Sequence, residues 1–521
     1  MKRPLMLAVG AATGFIGLSY EILWLRAYSF VTGGTASSFG VLLGAYLLGL
    51  AVGSLASWAY CSDRTAVAGP EHMRAPALLV LVGSALGFLS IPLLAELVRR
   101  GSFVPWLLAV AVTAGVLGAV LPLVSHLAIA PDERAGTALS YLYVANIVGS
   151  AAGSLLTGFV LLDHLSLPRI SALLAILGVA VALLLVAASR PASRQIAVWG
   201  IAAALVLALT LVGEPALFRH IFEKLQFKQR FAGSPSFADI VENRSGVITV
   251  QEDGTVYGGG VYDGAYSVDL VHDRNLIVRP YALSAIHPSP RRVLLIGLST
   301  GSWAQVLVSN PDVERLTVIE INPGYLGLIP KHPEVASLLE NPKLEIVIDD
   351  GRRWLAAHPD RLFDAIFSNT TWHWRSMATN LLSAEFLELT RRHLAPGGVF
   401  LWNTTFSIES QKTGCEVFRH GFRLVNSMVG SDSPVRIDPD RWRKSLREYR
   451  IDGRLIFDES DPEHARRLEE ILRIGPTPGH PERRNRDYQP CEDLRRFARD
   501  LVTVTDDNMV IEWYRPWWAA P

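Results

Sequence analysis

The chain of 521 residues carries 49 lysines and arginines against 49 aspartates and glutamates, and half of it is hydrophobic. That length exceeds one ordinary domain, and a balanced charge gives no electrostatic ground for a nucleic-acid partner. Its 3 cysteines, Cys61, Cys415 and Cys491, lack metal-ligand spacing and are too few for a disulfide framework, although a bridge between Cys415 and Cys491 stays open.

Apolar stretches near the ~20 residues that a helix needs to cross hydrocarbon fall at about 5–27, 38–60, 76–98, 103–127, 138–162, 170–188 and 196–212. A multi-pass helical membrane bundle over 1–213 is therefore expected. The first stretch has no small-residue cleavage site and reads as a retained helix. Gly49/Gly53, Gly83/Gly87 and Gly149/Gly153 repeat at the small-xxx-small spacing that lets such helices approach closely. Near the end of the first stretch, Glu21 and Arg26 place charge in or beside hydrocarbon, where it is costly. They read either as a mutual pair in an interfacial anchor with Trp24 or as a polar pocket facing the bundle. Seven spans put the N-terminus and the later domain on opposite faces. The short-loop basic residues lean weakly toward the N-terminal side (Lys2, Arg3, Arg64, Arg74, Arg134, Arg190 and Arg194, against Arg26, Arg99, Arg100 and Arg169).

A linker is expected over 214–238, basic and aromatic enough around 218–231 to lie on a bilayer surface. From 239 to 285 the pattern alternates, and Asp253-Gly254 between alternating runs is a hairpin signal for a small β domain. Tyr257 and Tyr262, in a stretch rich in glycine and tyrosine, are candidates for a flexible lip over a pocket. The remainder, 286–521, reads as an α/β doubly wound, Rossmann-like domain. Arg292-Val293-Leu294-Leu295-Ile296 is a strand that runs into Gly297-Leu298-Ser299-Thr300-Gly301 and then into a helix. Such a turn presents backbone N–H groups to a ligand. The next strand closes on Glu320, the third on Asp350-Gly351, and the fourth on Asn369. Ligands bind at strand C-termini in such sheets, so Gly297, Ser299, Gly301, Glu320, Asp350 and Gly351 are the candidate cofactor residues. Beyond Asn369, Trp372 and Trp374 are candidates for pocket walls. His373 is a candidate base, and Arg375 a candidate anion holder.

The glycine turn, Glu320, Asp350-Gly351 and Pro396-Gly397-Gly398 resemble the spermidine synthase-type aminopropyltransferases, which share the class I methyltransferase fold. Tyr20-Glu21-x-x-Trp24-x-Arg26 and the tail from Thr505 to Glu512 are similar to the bacterial membrane-fused members. The resemblance implies decarboxylated S-adenosylmethionine or S-adenosylmethionine as co-substrate, with no metal. Glu320 would hold ribose hydroxyls, and Asp350 would accept from the adenine amine. The family's fourth strand runs into an Asp-x-x-Asp-Pro pattern whose acids bind and deprotonate the amine. Here the matching stretch is Asn369-Thr370-Thr371-Trp372-His373, without a carboxylate, so the acceptor is expected to be less cationic than a diamine. The expected function is aminopropyl or related alkyl transfer to an amine. The rivals are methylation of a lipid or hydrophobic acceptor, and a nucleoside-sensing transporter or scaffold that does not turn over. The expected partners are the bilayer, a small-molecule amine or membrane-associated acceptor, and a second copy of the chain. The soluble part is expected in the cytoplasm of a bacterium, at the inner membrane.

Overall fold

The computed structural model describes residues 3–62, 70–233, 236–370, 372–475 and 487–515. Lys2, Arg64 and Thr371 lie outside the described residues, as do two residues of the linker, 234 and 235. The chain separates into two compact units, 1–247 and 248–519.

In the first unit, seven helices are long and apolar enough to cross a membrane: Arg3–Thr32, Ala36–Cys61, Glu71–Arg99, Val104–Ala128, Ala135–His164, Leu167–Ala188 and Ser193–Leu211. Two of the glycine pairs mark close backbone approaches. A Cβ at Gly53 would sit 1.9 Å from the Gly115 carbonyl oxygen, and one at Gly149 would sit 1.9 Å from that of Ala11. Aromatic side chains of the first helix fill the centre. Tyr20 stacks on Trp24 at 5.7 Å, and the Trp24 indole N–H donates to Ser90 Oγ at 2.6 Å.

The expected pairing of Glu21 with Arg26 does not form. The two lie five residues apart on a helix, off the three- and four-residue spacing that brings side chains together. Arg26 instead donates to the backbone carbonyl of Asn243 at 2.6 Å, while buried Glu21 keeps no hydrogen-bond partner among the described residues. The basic and aromatic 218–231 segment packs on the helices of its own unit. Its aromatic side chains dock on the bundle, Phe218 against Phe88 at 5.4 Å and Phe222 against Phe30 at 5.2 Å, and Lys224 reaches Glu96 at 3.1 Å. Burying those rings stabilises more than leaving them at an interface. Strand β1 (Phe237–Asn243) follows.

In the second unit, β2 (Gly246–Gln251), β3 (Thr255–Gly258) and β4 (Val261–Ala265) run as an antiparallel meander. The turn before β3 is held by the Thr255 N–H on Asp253 Oδ1 at 2.9 Å. The glycine- and tyrosine-rich stretch expected as a lip is thus β3, a glycine turn and β4. The β-branched and aromatic residues that flank the glycines favour a strand.

Strands β5 (Arg292–Ile296), β6 (Arg315–Glu320), β7 (Leu344–Ile348), β8 (Phe363–Ser368) and β9 (Leu394–Asn403) are joined by β10 (His420–Leu424), β11 (Ser427–Ser431) and β14 (Tyr488–Pro490) in one sheet of order β14-β10-β11-β9-β8-β5-β6-β7. A separate two-stranded ribbon pairs β12 (Arg450–Ile451) with β13 (Arg454–Leu455). From β9 to β7 the strands are parallel, and β10, β11 and β14 extend the sheet antiparallel. The chain leaves β5 toward β6 and returns on the other side as β8. The sheet therefore has its switch point between the C-termini of β5 and β8, where open α/β sheets bind ligands. Val293, Leu294, Leu295, Ala365, Ile366 and Phe367 on these two central strands are completely buried. A short stretch of consecutive apolar residues reflects a strand covered on both faces. Beneath them, Cys415 and Cys491 form a disulfide with Cα atoms 5.3 Å apart.

Candidate functional site

The turn after β5 is shaped by glycines and fastened by a carboxylate. Gly297 has φ of +90° and Gly301 of +77°, a region closed to most side chains. A Cβ at Gly297 would also lie 2.6 Å from the Asn369 carbonyl oxygen. Glu320, 4% exposed at the end of β6, accepts from the N–H of Leu298 at 2.7 Å, of Ser299 at 3.4 Å and of Asn322 at 2.7 Å. Of the roughly four acceptor sites on a carboxylate, two hold the turn and a third takes the Asn322 N–H just past β6. Burial pushes its pKa up, offset by those same N–H groups. The turn is tied to β4 as well: Ser299 Oγ donates to the Asp263 carbonyl at 2.7 Å, and Ser302 Oγ to that of Ala265 at 3.0 Å. Asp350 caps the helix Gly351–Ala357 by accepting the Arg353 N–H at 2.8 Å.

Next to this turn opens a cavity of about 270 Å³, walled by Tyr262, Asp263, Asn369, Thr370, Trp372 and Thr405 and floored by Arg279, Asn403 and Asn426. Asn369, Trp372 and Tyr262 thus come together as their positions suggested. Three other candidates face elsewhere. The Tyr257 hydroxyl donates to Gln251 Oε1 at 3.0 Å. Trp374 is buried, with the Arg515 guanidinium 4.1 Å above its ring. Arg375 donates to the Gly258 carbonyl at 3.1 Å and lies in the field of Asp263.

His373 sits behind Thr405 at the cavity edge. Its backbone N–H donates to Thr405 Oγ1 at 2.9 Å, and its Nδ1 lies 2.8 Å from the same Oγ1 and 3.2 Å from the Thr405 carbonyl oxygen. The Thr405 hydroxyl can donate to Nδ1 or accept from it, and the carbonyl only accepts, so Thr405 orients the ring in either neutral tautomer. Burial draws its pKa below the ordinary histidine value, which keeps the ring neutral near pH 7.

Sequence reasoning missed Asp263, Tyr325, Arg279, Asn403 and Asn426. The Asp263 carboxylate is hydrogen-bonded by the Tyr325 hydroxyl, and burial pushes its pKa up against the pull of Tyr325 and Arg375. Two signals were available. Arg279 is the one charge in the otherwise uncharged run from Ile277 to Ile286, and Asn369-Thr370-Thr371 recurs as Asn403-Thr404-Thr405. The two copies end neighbouring parallel strands, β8 and β9. Backbone strain gathers here too, with φ of +46° at Thr405, +69° at Phe406 and +52° at Leu276. Such outliers persist only where the surroundings hold them, and they cluster at functional sites. The tail acids are structural. Glu512 accepts the N–H groups of Met377 at 2.9 Å and Thr379 at 2.8 Å, and Asp506 pairs with Arg352.

The model of the spermine/spermidine synthase domain family matches residues 282–427. A polyamine aminopropyltransferase of Mycobacterium tuberculosis is 27% identical over 421 residues, covering 77% of this chain and 77% of its own length. Polyamine aminopropyltransferase 2 of Streptomyces coelicolor is 27% identical over 423 residues, 76% of this chain and 73% of its own. Alignments of that extent reach into the apolar unit, because the second unit is little more than half of the chain. Among solved structures, a spermidine synthase in complex with the transition-state analogue AdoDATO is 16% identical, with a TM-score of 0.35 over 45% of this chain and 87% of that one.

Proposed function

Because the chain is spermidine synthase-like, and a transferase of the type its relatives represent, we propose that it moves an aminopropyl or related alkyl group from an adenosyl sulfonium to an amine. The donor would be decarboxylated S-adenosylmethionine or S-adenosylmethionine. The observation that carries this reading is the strand-end constellation at the switch point: Gly297 and Gly301 in left-handed backbone, clamped by buried Glu320, beside the cavity lined by Asn369. The fit to the donor is chemical. The glycine turn permits close backbone approach, Glu320 retains about one acceptor site for a hydroxyl, and the second Asp350 oxygen is free of the helix cap. The donor supplies an electrophilic carbon beside a positively charged sulfur. The chain's own residues hold the acceptor amine against it and take up the amine's proton, and His373, held by the cavity-lining Thr405, is the base assigned to that step.

On this reading the apolar helices span a bilayer and anchor the second unit. Full-length protein in detergent, titrated with each donor form and then assayed by mass spectrometry of the acceptor, tests it. An aminopropyl increment on an amine is expected. A gain of a single CH₂ would favour methylation of a hydrophobic acceptor, and failure of both donors to bind below millimolar concentration would remove the reading.

The donor is a cytoplasmic metabolite, so the second unit is expected on the cytoplasmic face. The Cys415–Cys491 disulfide favours the opposite face, because such bonds persist in oxidising compartments, and the short-loop basic residues lean the same way. An exposed cysteine introduced as Arg466→Cys in a chain whose free thiol is removed by Cys61→Ser separates the two. Reaction with a membrane-impermeant maleimide in intact cells would put the unit outside.

A further inference from the structure

Arg279 is a buried cation with capacity to spare. It is 4% exposed. Its Nε donates to the Leu276 carbonyl at 2.8 Å, one terminal nitrogen to the Asn275 carbonyl at 2.9 Å, and the other to Asn426 Oδ1 at 3.1 Å. A guanidinium has five N–H donors, so two remain, and the residue lines the cavity floor. No carboxylate lies within ion-pair distance of it among the described residues; its charge rests on the Trp303 ring, 4.6 Å below. Burial draws its pKa down to about 10, which leaves it charged at neutral pH.

The rest of the cavity offers little negative charge. Asp263 is the one acid among the lining residues, and its carboxylate is taken by Tyr325 and faces Arg375. Arg274 at the rim is paired with Asp253 at 3.1 Å. The remaining polar wall is amide and hydroxyl. Asn426 Nδ2 donates to Asn403 Oδ1 at 3.2 Å, which also accepts the Thr405 N–H at 2.9 Å, so the Arg279–Asn426–Asn403–Thr405 chain is held rigid. Among the described residues, the Asn369 side chain makes no hydrogen bond. Asp273 acts on Arg279 only through space and is itself paired with Arg467 at 3.4 Å; a buried charge without a direct counter-ion is expensive, and a ligand that brings one recovers that cost.

We propose that this cavity contains an oxyanion subsite, with Arg279 as its charged donor, that takes a carboxylate carried by the donor or by the amine acceptor. The carboxylate would accept the two spare guanidinium N–H groups, with the Asn369 amide at its side. A cavity of this character disfavours a diamine, whose two ammonium groups would meet Arg279 rather than an acid. The subsite rests on the transfer reading for the molecule that carries the carboxylate, not for its own chemistry.

The test uses the full-length chain in detergent and two matched pairs of probes: S-adenosylmethionine with its decarboxylated form, and 4-aminobutanoate with 1,4-diaminobutane. Calorimetry is expected to find the carboxylated member of at least one pair bound about ten- to a hundredfold more tightly. Preference within the first pair assigns the carboxylate to the donor, and preference within the second assigns it to the acceptor. Arg279→Gln should abolish the preference and Arg279→Lys should keep part of it. If Arg279→Gln does not fold, Asn369→Asp sets an acid beside the subsite without breaking a hydrogen bond, and should weaken the carboxylated member by about tenfold or more. Equal or tighter binding of both members that lack a carboxylate would overturn the subsite and leave the transfer reading standing. Binding of 4-aminobutanoate that depends on Arg279, with neither donor form bound, would remove the transfer reading and keep the subsite. Binding of none of the four would overturn both.

Discussion

His373 is oriented through its Nδ1 by a single residue, Thr405, whose hydroxyl and carbonyl both lie within hydrogen-bond distance. Its pKa is lowered by burial, and the sign of the consequence follows. A histidine depressed in the folded state contributes stability above its ordinary value of about 6.5 and loses it as pH falls through the depressed value. Transfer rate should therefore show an acid limb with its midpoint below about 6.5, and His373→Gln should lower the rate by about a hundredfold or more and erase that limb. A limb unchanged in the variant would assign the proton transfer to another group. Tyr325 tests the residue beside it. Phe at that position leaves the Asp263 carboxylate one donor short, at a cost of about 1–3 kcal/mol, measured as a drop in thermal denaturation of the detergent-solubilised chain. No change would mean that Arg375 alone satisfies the acid.

At the scale of elements, the period of the apolar residues carried most of the fold. Seven stretches of spanning length became seven helices, and consecutive apolar runs ending in Gly297, Glu320, Asp350 and Asn369 mark adjacent strands that end on one edge. What period does not encode is what a side chain meets across space. Arg26 finds the Asn243 carbonyl, 217 residues later, rather than Glu21, and Trp374 turns to Arg515 rather than to the cavity two positions from Trp372. Nor does a strand end announce its hydrogen-bond load. Glu320 was legible as a strand-closing acid, but the three N–H groups that occupy it come from the turn after β5 and from Asn322 just past β6. The glycine pairs were legible by spacing alone, and they give a direct test. Gly53→Leu and Gly149→Leu would force side-chain atoms into backbone 1.9 Å away. Each should cost about 1–3 kcal/mol or more by overpacking, read as a lowered denaturation midpoint. Gly200→Leu, where a Cβ would meet nothing within 4 Å, is the matched control expected to be silent.

At the scale of the whole molecule, similarity to the relatives extends beyond the second unit. The alignment with the Mycobacterium tuberculosis protein covers 77% of each. One covalent feature of the second unit has a practical outcome. Cys415 and Cys491 are 76 positions apart, and the polypeptide between them includes β10 to β13 and the helices Pro439–Glu448 and Pro462–Leu472. The bond turns that stretch into a closed ring, which by loop-closure entropy holds back about 4 kcal/mol of freedom from the unfolded chain. A protease that cuts once inside the ring would produce two pieces that still migrate as one band on a denaturing gel, and that part company only when a reductant is added.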